Sequence, residues 1–257
     1  MSKDERPETK DLFELLIRGF ARLERGVHPV DEGAVGSIRF LRWPERGRRG
    51  QEFSEEFFAL DQDPDAVLAA VRRAEPGPDH LIAEVSVQSE PAREAYLAAG
   101  YEIGSQEPLM AAHLTDANTV PDPDGAVRRV TSMDDVEQIL AAQRSVGYPE
   151  RLFSQALLDD PQVSIRAIFA DGAFAAIGKL AVVTSGAYIT DVMTMPGHRR
   201  QGLGAAVMRQ LHADARTMGA IRSVLTSTAM ARSLYERLGY RQIGLVTLYA
   251  TPERIAG

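Results

Sequence analysis

The chain of 257 residues has no cysteine, which removes disulfides, thiolate metal sites and covalent cysteine intermediates from consideration. Basic residues are in the minority, 29 Lys and Arg against 36 Asp and Glu for a formal net charge of -7. A dedicated nucleic-acid binder needs the opposite balance to displace counterions from phosphates. No run approaches the apolar length of a signal core or a membrane-spanning helix, and the first residues, Met1 to Pro7, are highly charged. Together these absences point to a cytoplasmic globular protein with small-molecule partners, no nucleic acid, no membrane and no metal. With 44% hydrophobic and 25% charged residues, the length suits one large core or two small ones.

The stretch Thr115 to Gly125 is rich in turn formers and has no periodicity, so it marks a boundary: residues 1–118, a linker at 119–125, and 126–257. Past it, Ala126 to Val130 reads as a strand, and Ser132 with Asp135 as the N-cap pair of a helix through Val136, Ile139 and Leu140. A short helix around Leu152 to Leu158 and three strands follow: Val163 to Ala170, Phe174 to Val183 and Ala187 to Met195. Leu203, Val207, Leu211 and Ala215 then recur every fourth residue, the buried stripe of a helix. Ile221 to Ser227 reads as a strand, Met230 to Leu238 as a helix and Tyr240 to Ala250 as a closing strand pair.

The first part repeats the second. Ala92, Arg93, Tyr96, Gly100 and Tyr101 match Ala231, Arg232, Tyr235, Gly239 and Tyr240 at a constant offset of 139. The same offset lays Ile82 and Val85 on Ile221 and Val224 and a helix at Ala66 to Val71 on the start of that at Ala205 to Gln210. Ser37-Ile38-Arg39 resembles Ser164-Ile165-Arg166 after a change of spacing. These matches read as an ancient tandem duplication.

Between the third strand and the long helix of the second part stands Arg199-Arg200-Gln201-Gly202-Leu203-Gly204-Ala205, after Pro196-Gly197-His198. Unpaired backbone N–H groups at a helix start carry partial positive charge, and glycines let the backbone close on anionic oxygens. Arg199 and Arg200 can add charge-assisted bonds. The loop thus suits a pyrophosphate, although a G-x-G at a helix start is by itself also a plain glycine turn with solvated arginines. In the first part the offset sets Asp63-Pro64-Asp65 opposite Gly202-Leu203-Gly204. Each carboxylate would repel a phosphate charge by about 3 kcal/mol at 5 Å and an effective dielectric near 20, and Pro64 removes a donor. A good helix cap is the other reading of that segment.

These residues resemble the GNAT superfamily of acyl-CoA-dependent N-acyltransferases, whose Arg/Gln-x-x-Gly-x-Gly/Ala signature Arg199 to Gly204 fits at every position. Asp191 to Pro196 looks like the family's fourth strand and its proline exit, and Ser233-Leu234-Tyr235-Glu236-Arg237-Leu238-Gly239-Tyr240 like its LYerlGF helix. The resemblance implies an α+β, three-layer α/β/α fold in two tandem domains with mixed, mostly antiparallel sheets, the first a degenerate copy without the cofactor loop. It implies an N-acetyltransferase that passes an acetyl or short acyl group from acetyl-CoA, the cosubstrate, to a primary amine of a small molecule or peptide by direct attack in a ternary complex. A homodimer is compatible with it. A non-catalytic acyl-CoA sensor or interaction module is the alternative.

In the family the fourth and fifth strands splay and the pantetheine arm lies between them. This implicates Met193, Thr194 and Met195, with Arg199, Arg200, Gln201, Gly202, Leu203, Gly204 and Ala205 on the pyrophosphate. Ser227 stands where a contact to pantetheine or acceptor is expected, although many members place an asparagine just downstream. Tyr235 corresponds to the tyrosine that stabilises the leaving thiolate. A phenol of pKa near 10 is a poor acid toward a thiolate near 8.5, so hydrogen bonding precedes proton transfer. The attacking amine must lose a proton, and Asp191, a carboxylate in an otherwise apolar and hydroxylic strand, is the expected base. Asp191 could instead cap a turn, pair with an arginine such as Arg166 or orient the substrate without taking a proton, and Tyr188, His198, and Tyr148 with Glu150 are alternatives. Arg46, Arg48 and Arg49 read as a solvated hairpin turn, and Trp43, Phe53, Phe57 and Phe58 as core.

Overall fold

The computed structural model describes residues 5–44, 55–77, 79–87, 92–116, 126–148 and 153–252. The arginine cluster at 46–49, Phe53, Glu150 and the expected linker at 119–125 lie outside them. The first part runs α1 (Glu5–Arg25), β1 (Asp31–Val35), β2 (Ile38–Arg42), β3 (Glu55–Leu60), α2 (Pro64–Arg73), β4 (His80–Ser86), α3 (Arg93–Ala98) and β5 (Glu102–His113). The second runs β6 (Val127–Arg129), α4 (Met133–Ser145), α5 (Gln155–Asp159), β7 (Val163–Ala170), β8 (Ala173–Val183), β9 (Gly186–Thr194), α6 (Leu203–Thr217), β10 (Arg222–Thr226), α7 (Arg232–Arg237) and β11 (Arg241–Ala250).

Local chemistry accounts for the helix starts. The Ser132 hydroxyl accepts the Asp135 amide at 3.2 Å, the capping expected from the sequence, and the Ser154 hydroxyl accepts the Leu157 amide at 3.0 Å. On α6, Val207, Leu211 and Ala215 are fully buried, and Leu203, at its exposed end, packs at the rim of the same cluster.

The eleven strands among the described residues form one sheet in the order β1-β2-β3-β4-β11-β5-β10-β9-β8-β7-β6. The last strand of each part lies beside the other part: β5 pairs antiparallel with β10, and β11 pairs antiparallel with both β4 and β5. The closing strand pair expected at Tyr240 to Ala250 is therefore a single strand. No turn interrupts it; the chain bulges between Gln242 and Gly244 and continues, because neighbours on both sides satisfy its backbone. The match of Ser37–Arg39 with Ser164–Arg166 also fails topologically. Those residues enter β2, one strand before the parallel β3/β4 pair, and β7, two strands before the parallel β9/β10 pair.

Helices cover both faces, giving three layers. Across one face runs a continuous core in which α1, α4 and α5 pack on strands of both parts through Leu16, Ile17, Ile139, Leu157, Tyr188 and Val246. On the other face α6 and α7 cover the second part, and α2 and α3 the first. Helix α1 is the oddity, since it belongs to the first part by sequence yet lies mainly on β8, β9 and β10. Its approach needs Gly19, where a Cβ would stand 2.2 Å from the Tyr188 Cβ. Trp43, Phe57 and Phe58 are buried as expected.

Candidate active site

The parallel strands β9 and β10 pair only over Gly186–Tyr188 and Arg222–Val224, although β9 runs on to Thr194 and β10 to Thr226. Beyond Tyr188 they diverge, leaving a gap bordered by backbone that no strand covers. A bulge in β9 accompanies the divergence: between the pairs Lys179–Thr190 and Ile177–Met193, both Asp191 and Val192 oppose Gly178. Asp191 lies in the left-handed region, φ 54°, a conformation that aspartate tolerates better than most residues.

Met193 and Thr194 follow the bulge on the gap's border, and Met195 is buried, its amide bonded to the Ala175 carbonyl at 2.8 Å. The chain then turns through Pro196–His198 into α6. Gly202 is its N-cap with φ 82°, and no side chain caps the amides of the first turn, where Leu203, Gly204 and Ala205 stand. A Cβ on Gly204 would sit 3.4 Å from both Thr194 Oγ1 and Leu234 Cδ2, so the glycine leaves a shallow cradle above open amides. That cradle fits a pyrophosphate. Arg200 and Gln201 are exposed beside it. Arg199 is turned toward β9 and the segment after α4, donating to the Thr194 carbonyl at 3.3 Å and to the Tyr148 hydroxyl at 2.5 Å.

Tyr235 is buried on α7, with its ring edge-on to Tyr240 at 5.8 Å. Burial, and then the charge of Glu107, pushes its phenol up to about 12, so it stays protonated and serves as a hydrogen-bond donor. Asp191 is ion-paired with the Lys179 ammonium at 3.1 Å, and Lys179 in turn lies 4.0 Å over the Phe153 ring. Glu24, hydrogen-bonded by Trp43 at 3.2 Å, is held nearby with its carboxyl pushed above the usual range by burial. The arginine partner considered for Asp191 is engaged elsewhere: Arg166 makes a bidentate pair with Asp214 at 2.6 and 2.7 Å. The Ser227 hydroxyl donates to the Thr228 carbonyl at 2.9 Å, and its amide to the Pro108 carbonyl at 3.0 Å. His198 sits in the turn, half-buried.

Sequence reasoning missed Glu107. It lies on β5, beyond the point where β5 pairs Leu109 with Thr226 of β10, and with Tyr188, Thr226 and Glu56 it lines a cavity under α1. Only strand order brings it there, so no local motif announces it.

The segment of residues 133–240 matches the acetyltransferase (GNAT) family. Over nearly the whole chain the fold is similar to that of a GCN5-related N-acetyltransferase from Kribbella flavida, with TM-score 0.66, 22% identity, and 94% of this chain and 95% of that one covered. A putative GNAT-family acetyltransferase from Novosphingobium aromaticivorans aligns with TM-score 0.57 and 19% identity over 92% and 95%. A conserved protein of unknown function from Staphylococcus epidermidis aligns with TM-score 0.60 and 12% identity over 86% and 94%. At these identities the likeness establishes the GNAT fold, α+β with a mixed sheet. No curated protein matches the chain.

Proposed function

We propose that the protein transfers an acetyl or other short acyl group from acetyl-CoA to a primary amine, in one ternary complex. The observation that carries this reading is the divergence of β9 from β10 directly ahead of the uncapped, glycine-bearing start of α6. An open strand edge for an amide-bearing arm and a helix N-terminus for a diphosphate then lie on one path.

Bound acetyl-CoA would supply an activated thioester carbonyl. The residues of the chain do the rest. Gly202, Leu203, Gly204 and Ala205 would hold the pyrophosphate through backbone amides, with Arg200 and Gln201 at the rim and Arg199 bracing the turn. Met193, Thr194 and Met195 would line the arm, and Ser227 would border it through its backbone, since its hydroxyl is spent locally. When the amine nitrogen bonds to the carbonyl carbon and the carbon–sulfur bond breaks, Tyr235 donates a hydrogen bond to the sulfur that takes the electron pair. Its phenol is a much weaker acid than a thiol, so stabilisation rather than full protonation is its part. An unperturbed alkyl ammonium loses its proton only near pH 10, so a carboxylate has to help. Asp191 would accept that proton as it gives up its pair with Lys179, and the thiolate leaves with the sulfur's electron pair.

Within this reading the first part is a degenerate second copy of the fold, joined through the 119–125 linker, and the protein works in the cytoplasm. No helix among the described residues is long and apolar enough to cross a membrane. Calorimetric titration with acetyl-CoA, followed by an assay of thiol release with an amine panel, tests the function. One site per chain and amine-dependent thiol release are expected. Binding without release for any amine would leave a sensor module, and no binding would remove the cofactor assignment.

A further inference from the structure

We infer that the cavity under α1 is the acceptor site, and that it selects a primary ammonium carrying one compact apolar group such as an aryl ring. This rests on the acetyltransferase reading above and adds the substrate class to it.

Position is the first argument. The cavity is bounded by Tyr188, the last residue of β9 that still pairs with β10, and by Thr226 near the end of β10. It therefore opens at the mouth of the strand gap. It lies on the sheet face covered by α1, whereas α6 and α7, with the phosphate cradle and Tyr235, lie on the opposite face. An arm threading the gap from the α6 side would present its thioester to whatever occupies the cavity.

Charge is the second. Among the described residues two carboxylates, Glu56 and Glu107, line the cavity, and none of the lining residues is a lysine or arginine. Glu56 is buried, and Glu107 is half-buried at the gap, close enough to Tyr235 for its charge to act on that phenol. A cation entering here exchanges water for the Glu107 carboxylate in surroundings of lowered dielectric, whereas an anion meets repulsion.

Shape is the third. Apart from Ser105 and the Tyr188 and Thr226 already named, the remaining wall is apolar, with Leu16 and Phe20 from α1 and Phe58 and Leu248 from the sheet, around a volume of about 170 Å³. An apolar cavity of roughly 150 Å³ is enough to take up benzene. A polyamine would have to bury its second ammonium among these side chains, and an amino acid would bring its carboxylate beside Glu56 and Glu107.

Both carboxylates come from the first part of the chain. Exchange of the last strands carries β5, and Glu107 with it, into the neighbourhood of β10. The part without a phosphate loop thereby supplies the specificity of the part that has one.

The experiment compares 2-phenylethylamine, phenylalanine and spermidine as acceptors, by thiol release from acetyl-CoA, in the wild-type chain and in Glu107→Gln, with acetyl-CoA affinity measured separately by calorimetry. Phenylethylamine should be preferred over both others by at least about tenfold in kcat/KM. Glu107→Gln should raise its KM about tenfold or more, the worth of one charge-assisted hydrogen bond, while leaving acetyl-CoA affinity unchanged. Equal use of phenylalanine or spermidine, or an unchanged KM in the variant, would overturn the inference while the acetyltransferase reading stands. Failure of the wild type to bind acetyl-CoA would overturn both.

Discussion

The two strand-helix-strand units of this molecule share an order and an orientation but differ at the point where chemistry would occur. In the first, β3 and β4 pair throughout Glu55–Leu60 and His80–Val85; in the second, β9 and β10 part after Tyr188. Three residues connect β3 to α2, and eight connect β9 to α6. The first connection ends in Asp63 ahead of Pro64 at the helix start, the second in a left-handed Gly202. Even the matching tyrosines differ. Tyr96 is fully buried and stacked on Tyr249 at 4.2 Å, whereas Tyr235 lies near the open gap with the Glu107 charge close by. A shared fold thus carries no function by itself; the separated strands, the longer loop and the uncapped amides do.

The sharpest way to break this contrast is to write the first unit's chemistry into the second. Gly204→Asp puts a carboxylate where Asp65 stands in the other unit. The fold should accept it, because a Cβ there meets only Thr194 Oγ1 and Leu234 Cδ2 at 3.4 Å. Repulsion of about 3 kcal/mol per phosphate charge predicts at least a hundredfold loss of acetyl-CoA affinity by calorimetry. The reverse change, Asp63→Gly with Asp65→Gly, should create no second site, since β3 and β4 leave no gap. A second binding event in that variant would show that the loop alone makes the site.

The paired tyrosines give the next largest effect. Tyr235→Phe should lower kcat by about ten- to a hundredfold, the worth of a hydrogen bond to a developing charge, with acetyl-CoA affinity nearly unchanged. Tyr96→Phe should leave kcat where it is. Equal losses in both variants would mean that the hydroxyl of Tyr235 acts through packing alone.

How much of this was legible beforehand follows from the range of each signal. The strands of the second part, the capped start of α4, the buried stripe of α6 and the glycine loop are local patterns, read within a few residues. Alternation along Arg241–Ala250 tells which side chains are buried, but it is silent on which strand lies alongside, so the exchange of β5 and β11 was invisible and one long strand read as two. Glu107 was lost with it, being an ordinary exposed-looking carboxylate until β10 is placed beside it. Helix α1 did carry a signal in Leu12, Leu16, Phe20 and Leu23, yet nothing in that stripe names the second part as its partner. For Asp191 the sequence offered a carboxylate in an apolar strand, and the decisive neighbour, Lys179, sits on β8 across a bulge that no propensity announces.

Helix α1 sharpens the comparison from another side, because it ties the stability of the second part to residues of the first. Gly19→Val would drive a side chain into Tyr188, whose Cβ is already 2.2 Å from where the new Cβ must stand. Overpacking of this kind costs about 1–3 kcal/mol, which urea unfolding should show as a lower midpoint. If the two parts unfold independently, only one of two transitions will move; a single transition that moves as a whole is expected from the shared sheet and core.

The smallest effect separates a tyrosine kept for chemistry from one kept for packing. The Tyr96 hydroxyl is buried with no hydrogen-bond partner among the described residues, so Tyr96→Phe should raise stability by about 1 kcal/mol at neutral pH. Burial, and then the charge of Glu84, holds the Tyr96 phenol far above its ordinary range. Above about pH 10 the unfolded chain therefore releases a proton from this residue that the folded chain retains, and wild-type stability falls as pH rises. The phenylalanine variant lacks that contribution, so its advantage should widen from pH 9 to pH 11 in parallel denaturant titrations. A gap that stays constant over this interval would place the Tyr96 hydroxyl in contact with solvent, and the first unit would then be as open as the second.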